Sequence, residues 1–274
     1  MHWSDVSADP NSPEALAHRR ELLGAAWRPP VTDRADFLVA RARGKRVLDV
    51  GCVDHSYSSS ARTGWLHRAV AGAAADCLGV DVLAEDVEQM RREGYDVMAG
   101  DITAPSDDLR ARGPFDLVIA GEIIEHLGCP QQLLAATVDL LAPDGELVVT
   151  TPNPYAPQPV RNGRRRYASE NVDHTCFLFP SGMAEMADRT GLRLVEARTV
   201  FPGAARALAV NHHMTRIGLA RWRRGQRSAD PSARLLRIPF PASWVPPAEL
   251  AALVVRRASW WLGETAIYVL QRHR

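Results

Sequence analysis

The sequence predicts an α/β fold: a doubly wound, mostly parallel sheet with helices on both faces. Three observations carry this prediction. Short runs such as 46–51 and 115–121 are rich in apolar residues, as strands buried on both faces are. Segments of helical character separate these runs. Acidic residues and glycines close them, at the strand ends where open parallel sheets hold their ligands.

Taken in order, Asn11-Ser12-Pro13-Glu14 starts a helix that Pro29-Pro30 stops, and a second short helix spans 33–43. Strands are expected at 46–51, 77–81, 95–101, 115–121, 146–151 and 192–200. Helices are expected at 84–93, 131–141 and 181–190. Pro143-Asp144-Gly145 turns the chain into the 146–151 strand, and a last strand covers 265–270. The stretch 201–262 differs in character. It holds ten arginines against Asp230 and Glu249, with Trp222, Trp244, Trp260 and Trp261. Leu250, Leu253, Val254, Ala258 and Trp261 recur at helical spacing, so the stretch reads either as helices packed on the sheet edge or as a cap over an acceptor site.

Composition narrows the class. The chain has 274 residues, 46% hydrophobic and 24% charged, which excludes a disordered chain, a collagen-like repeat and a disulfide-stapled miniprotein. No uncharged apolar run reaches the ~18 residues of a membrane-spanning helix. The start, Met1-His2-Trp3-Ser4-Asp5, has the features of no secretory leader. Cys52, Cys77, Cys129 and Cys176 form no CxxC pair, which predicts reduced thiols in a cytoplasmic protein. Residues 1–150 carry 14 Lys+Arg and 24 Asp+Glu, or −10; the remainder carries 19 and 8, or +11. A basic half suits a polar or anionic partner, but nothing in the chain predicts DNA binding, and the acidic first half counts against RNA.

The strand ends are the first candidate site. Asp49 and Gly51 close the first strand, Asp81 the second, Asp101-Ile102 the third and Gly121 the fourth. A glycine lets backbone approach a ligand closely, and a carboxylate after the second strand accepts both hydroxyls of a ribose. Asp101 is placed to accept from an adenine amino group. The turn lacks G-x-G-x-x-G, and Asp54 would repel a pyrophosphate, which disfavours a dinucleotide. S-adenosylmethionine suits an acidic loop.

On these motifs the chain resembles class I S-adenosylmethionine-dependent methyltransferases. The match runs through D-V-G at Asp49–Gly51, Asp81, G-D-I at 100–102, F-D-L-V-I-A at 115–120 and L-A-P-D-G-E-L at 141–147. The resemblance implies a seven-stranded Rossmann-like sheet with an antiparallel final strand. It also implies an organisation into an N-terminal helical segment (1–44), a cofactor-binding core (45–200), a helical insertion (201–262) and the last strand (263–274). Val53 stands where the family's second turn glycine usually lies.

The second candidate site follows the fourth strand. Glu122 and Glu125 are three apart and share a face if the segment is a helical turn, with His126 beside them. Carboxylates and an imidazole suit Mg²⁺ or Mn²⁺, and His174 is a further ligand. A metal set of Glu122, Glu125, His126 and His174 is therefore expected. The E-x-x-E-H motif with the Thr151-Pro152-Asn153 turn is similar to O-methyltransferases of ubiquinone biosynthesis and to small-RNA 2′-O-methyltransferases; Asp173-His174 matches the latter. A Cys₂His₂ zinc site from His126, Cys129, His174 and Cys176 is the alternative, though methyl transfer to oxygen needs no thiolates. His55 is a second candidate base, or a hydrogen-bonding member of the cofactor turn.

A divalent cation lowers the pKa of a hydroxyl and chelates two neighbouring ones. The expectation is thus an Mg²⁺-assisted O-methyltransferase for a diol-bearing small molecule. A sugar or oligosaccharide comes first, because the turn, the cluster and the basic insertion resemble bacterial methyltransferases of glycan pathways. A quinone or catechol, an RNA 2′-hydroxyl, and a non-catalytic scaffold are the alternatives.

Overall fold

The computed structural model describes residues 2–57, 64–156, 171–201 and 263–273. The expected cap at 201–262 lies, but for Phe201, outside the described residues. Helix α1 (Pro13–Ala26) starts where Ser12 Oγ accepts from the Ala15 amide, with proline in its first turn. Helix α2 (Arg34–Ala42) is capped by Asp33 through the Asp36 amide. Then follow β1 (Arg46–Val50), α3 (Leu66–Ala73), β2 (Asp76–Asp81), α4 (Ala84–Arg92), β3 (Val97–Ala99), α5 (Asp107–Arg112), β4 (Phe115–Gly121), α6 (Pro130–Leu140), β5 (Leu141–Pro152), α7 (Pro180–Arg189), β6 (Leu192–Val200) and β7 (Thr265–Arg272).

The seven strands lie in the order β3-β2-β1-β4-β5-β7-β6. Pairings from β3 to β5 are parallel, and β7 is antiparallel to both β5 and β6. This is the fold class expected. From β1 the chain winds outward to β2 and β3, then returns to β4 on the other side. The order therefore reverses between β1 and β4, and a crevice opens at their carboxyl ends.

Strand alternation divides the core. Leu48, Val50, Val118, Ala120, Leu147 and Val149 face one helical layer. Val47, Leu117, Ile119 and Val148 face the other, against Leu38 of α2 and Val70 of α3. Such full burial on both faces explains why these strands read as continuous apolar runs.

Several expectations need adjustment. Helices α3 and α5 were not expected from the sequence. Strand β3 is shorter than the expected 95–101. β5 begins at Leu141, opposite Phe115, and its register shifts before Glu146 meets Leu117. The 143–145 turn thus sits as an irregularity inside a longer strand.

Between α1 and α2 the chain crosses the outer sheet edge. Trp27 and Val31 bridge to Ala197 and Val200 of β6. The Val31 amide donates to Thr199 (3.0 Å), and the Phe201 amide donates to Val31 (2.7 Å). This strap covers the edge of β6 and delivers Arg34 to the carboxyl ends of the strands. No helix of the described residues is long and apolar enough to cross a membrane.

Tyr268 of β7 is fully buried, and its hydroxyl donates to the Leu178 carbonyl at 2.8 Å. Tyr268→Phe leaves that buried carbonyl without its donor, at a cost of about 1 kcal/mol. Urea unfolding should show a lower midpoint with an unchanged slope; an unchanged midpoint would show that this hydrogen bond does not hold the loop before α7.

Candidate functional site

The turn after β1 is built for close approach. Gly51 has φ +74°, and a Cβ there would lie 2.5 Å from Ile123 Cγ1, so the position excludes any side chain. Asp49, at the strand end, is buried and hydrogen-bonded to His67 Nδ1 at 2.8 Å. Asp81 Oδ2 accepts from the Val53 amide (3.0 Å) and Oδ1 from the Leu83 amide (3.1 Å). Asp81 thereby fixes both the first turn and its own, with lone pairs remaining for a ligand. Asp101 Oδ1 accepts from the Thr103 amide and hydroxyl, and Ile102 is buried beneath. Arg34, Asp49, Gly51, Asp54, Trp65 and Gly121 are among the residues lining a cleft of about 120 Å³ at the β1/β4 crevice. The expected cofactor residues Asp49, Gly51 and Gly121 thus share one cleft.

Glu122 follows β4 with φ +57°, a strained conformation for a residue with a side chain. Its Oε1 lies 3.7 Å from Arg34 Nη1 and is buried without a hydrogen bond. Glu125 sits in the 3-10 turn Ile124–His126 and is 1% exposed. Its Oε2 accepts from Thr151 Oγ1 at 3.0 Å, while its Oε1 is buried without a partner. His174 arrives on the loop before α7, whose Thr175 amide and hydroxyl donate to the Glu125 carbonyl at 2.8 and 3.0 Å. The His126 and His174 rings meet edge to face at 4.7 Å. His126 Nδ1 lies 3.0 Å from Asp173, and His174 Nδ1 is buried with no partner. One ligand atom each from Glu125, His126 and His174 lie within 4.8 Å of one another.

The other candidates lie outside this group of three. Glu122 does not share a helical face with Glu125, because its left-handed backbone sets it apart from the turn, and it is not among the three converging residues. His55, also at positive φ, is exposed, with Nε2 4.0 Å from Asp54, and does not join the cluster. Cys129 is exposed and the Cys176 sulfur turns toward the Ile124 carbonyl, so no thiol joins the two histidines in the converging group.

Burial, reinforced by the charge of Glu122, pushes the Glu125 carboxyl up to about 7. Burial also raises Glu122, opposed chiefly by the Arg34 guanidinium. Sequence reasoning missed Arg34 and His67, which come from α2 and α3, and the part Thr151 plays as donor to Glu125. Asn153 of the T-P-N turn is structural: its amide nitrogen donates to Gly263 at 2.8 Å and ties β5 to the entry of β7.

A seven-stranded sheet with this crevice and this acidic edge defines a class. Residues 16–197 match the family model described as a methyltransferase domain, and the chain belongs to that family. Among its curated relatives, a ubiquinone biosynthesis O-methyltransferase of Burkholderia orbicola is 28% identical over 71% of this chain and 88% of its own length. The protein of the same name from Cupriavidus pinatubonensis is 27% identical over 72% and 75%. A solved SAM-dependent methyltransferase from Archaeoglobus fulgidus resembles 88% of the chain and 95% of its own at 13% identity, with a TM-score of 0.49.

The raised Glu125 has a consequence for stability. The folded state holds this proton above the unfolded pKa. Its contribution is therefore present below about pH 4.5 and is lost as pH rises to about 7. Glu125→Gln should remove that decline, so the variant should gain on the wild type by roughly 1–3 kcal/mol between pH 5 and 8. Thermal melts in EDTA across this range would show it; parallel curves would mean that Glu125 ionises freely.

Proposed function

We propose that this chain is an S-adenosylmethionine-dependent O-methyltransferase whose acceptor is a ring bearing adjacent oxygens, of the catechol or quinone-precursor type. The convergence of Glu125, His126 and His174 beyond β4, where Glu125 Oε1 and His174 Nδ1 are buried without a protein partner, carries this reading. The relatives named for ubiquinone biosynthesis favour a ring acceptor over the sugar expected from the sequence.

The donor set fits a divalent cation. A carboxylate and two imidazoles suit Mn²⁺, Fe²⁺ or Zn²⁺ better than Mg²⁺, which prefers an all-oxygen shell, and Glu125 Oε1 and His174 Nδ1 are buried atoms without a protein partner. Glu125, His126 and His174 would hold it, with Glu122 beside them. The ion would supply Lewis acidity toward an acceptor hydroxyl.

The cofactor would supply a methyl group on a sulfonium. Its amino-acid end is a zwitterion, and the cleft offers it one guanidinium, Arg34, and two carboxylates, the buried Asp49 and the exposed Asp54. Asp81 would accept from the ribose hydroxyls and Asp101 from the adenine amino group. Glu122 Oε1 lies 3.7 Å from the Arg34 guanidinium, which also donates to Thr150 Oγ1 at 3.2 Å. The insertion 201–262 belongs to this proposal as an acceptor cap: β6 ends and β7 begins at the carboxyl edge of the parallel strands, so the chain leaves and re-enters beside the site.

Turnover on a catechol panel, with and without EDTA, tests the reading. Chelation should abolish methylation and Mn²⁺ should restore it better than Mg²⁺; His174→Ala should mimic chelation while still binding cofactor. Full activity in EDTA would contradict the metal. Separately, Asp81→Ala should weaken S-adenosylmethionine at least about tenfold by calorimetry, the loss of charged hydrogen bonds. Unchanged affinity would place the ribose elsewhere.

A further inference from the structure

Beneath the glycine turn lies a buried pair to which the proposed reaction assigns only one member. His67, on the first turn of α3, is 1% exposed. Its Nδ1 meets Asp49 Oδ2 at 2.8 Å. The ring lies 5.3 Å from Trp65 and 5.7 Å from Tyr95, so aromatic walls hold it in place. The Trp65 indole also donates to the Cys52 carbonyl at 3.1 Å, clamping the turn above.

The imidazole packs closely against β2. Gly79 lies in the middle of β2, where a glycine weakens a strand. A Cβ at Gly79 would sit 2.8 Å from His67 Cε1 and 2.8 Å from Cys52 Sγ. Packing alone would be served at lower cost by an apolar residue, because burying an imidazole and a carboxylate together carries a desolvation penalty. Both members of the pair line the cleft that also contains Arg34.

We infer that His67 is a positioning residue: it holds the Asp49 carboxylate at the cleft so that its second oxygen receives the ammonium of the cofactor's amino-acid moiety. Arg34 then meets the carboxylate, and the three side chains together recognise the zwitterion. The inference rests on the cofactor reading proposed above. An imidazole N–H is a directional donor, so it fixes the rotation of the carboxylate as well as its place. A carboxylate left to rotate would share its charge between the cleft and the protein interior.

The test compares two ligands that differ only at that end. S-adenosylmethionine carries the amino acid, and 5′-methylthioadenosine lacks it. Calorimetry on the full chain should show His67→Phe weakening S-adenosylmethionine by about tenfold or more while 5′-methylthioadenosine changes by less than about twofold. His67→Asn, whose amide nitrogen takes the place of Nδ1, should keep most of the affinity. His67→Gln, whose amide reaches the Nε2 position instead, should behave like the phenylalanine variant, and it keeps the comparison available if that variant does not fold. Equal losses for both ligands, or an unchanged affinity for S-adenosylmethionine in the phenylalanine and glutamine variants, would overturn the inference. A wild-type chain that binds neither ligand would overturn the cofactor reading itself, and this inference with it.

Discussion

Carboxylates buried along one edge of a parallel sheet must each find a partner, and the site is organised around that constraint. An ionised carboxylate taken out of water costs several kcal/mol unless hydrogen bonds or charge replace the lost hydration. The protein meets this demand unevenly. Asp49 has an imidazole and Asp81 has two backbone amides. Glu122 has a guanidinium at 3.7 Å but no hydrogen bond to its Oε1. Glu125 has one oxygen satisfied by Thr151 and one left bare. The carboxylates at the ends of β1 and β2 are thus held by protein groups, while each of those after β4 keeps one buried oxygen without a hydrogen bond.

The sheet puts them there. β1 pairs with β2 and β4 in parallel, so every strand from β3 to β5 ends on the same edge. Residues far apart in sequence then become neighbours: Asp49, Asp81 and Glu122 by strand order, Arg34 by the strap along β6, and His174 by the loop that Thr175 ties to the Glu125 carbonyl. The antiparallel β7 closes the sheet through Asn153 and Gly263.

Much of this was legible in the sequence, for identifiable reasons. β4 and β6 have the bounds their apolar runs predict, and Ser12 and Asp33 cap helices because short polar side chains compete for orphan amides. α3 was hidden because its alanines and glycine blur the periodicity, and because a histidine takes one of its buried places. α5 has six residues and one buried side chain, Leu109, too short for a pattern. At the candidate site, the types and spacing of Glu125, His126 and His174 were visible, but the left-handed backbone at Glu122 was not, since only glycine signals that conformation. Arg34 and His67 carry no local motif.

The central claim is that Glu125, His126 and His174 form a cation site, and direct binding tests it without any acceptor. The paramagnetic resonance signal of free Mn²⁺ is followed as metal-free protein is added. The account predicts that the wild type removes one Mn²⁺ per chain and that His174→Ala and Glu125→Gln remove far less at the same concentration. Equal uptake by the wild type and both variants, or no uptake by a wild type that binds S-adenosylmethionine, would contradict it.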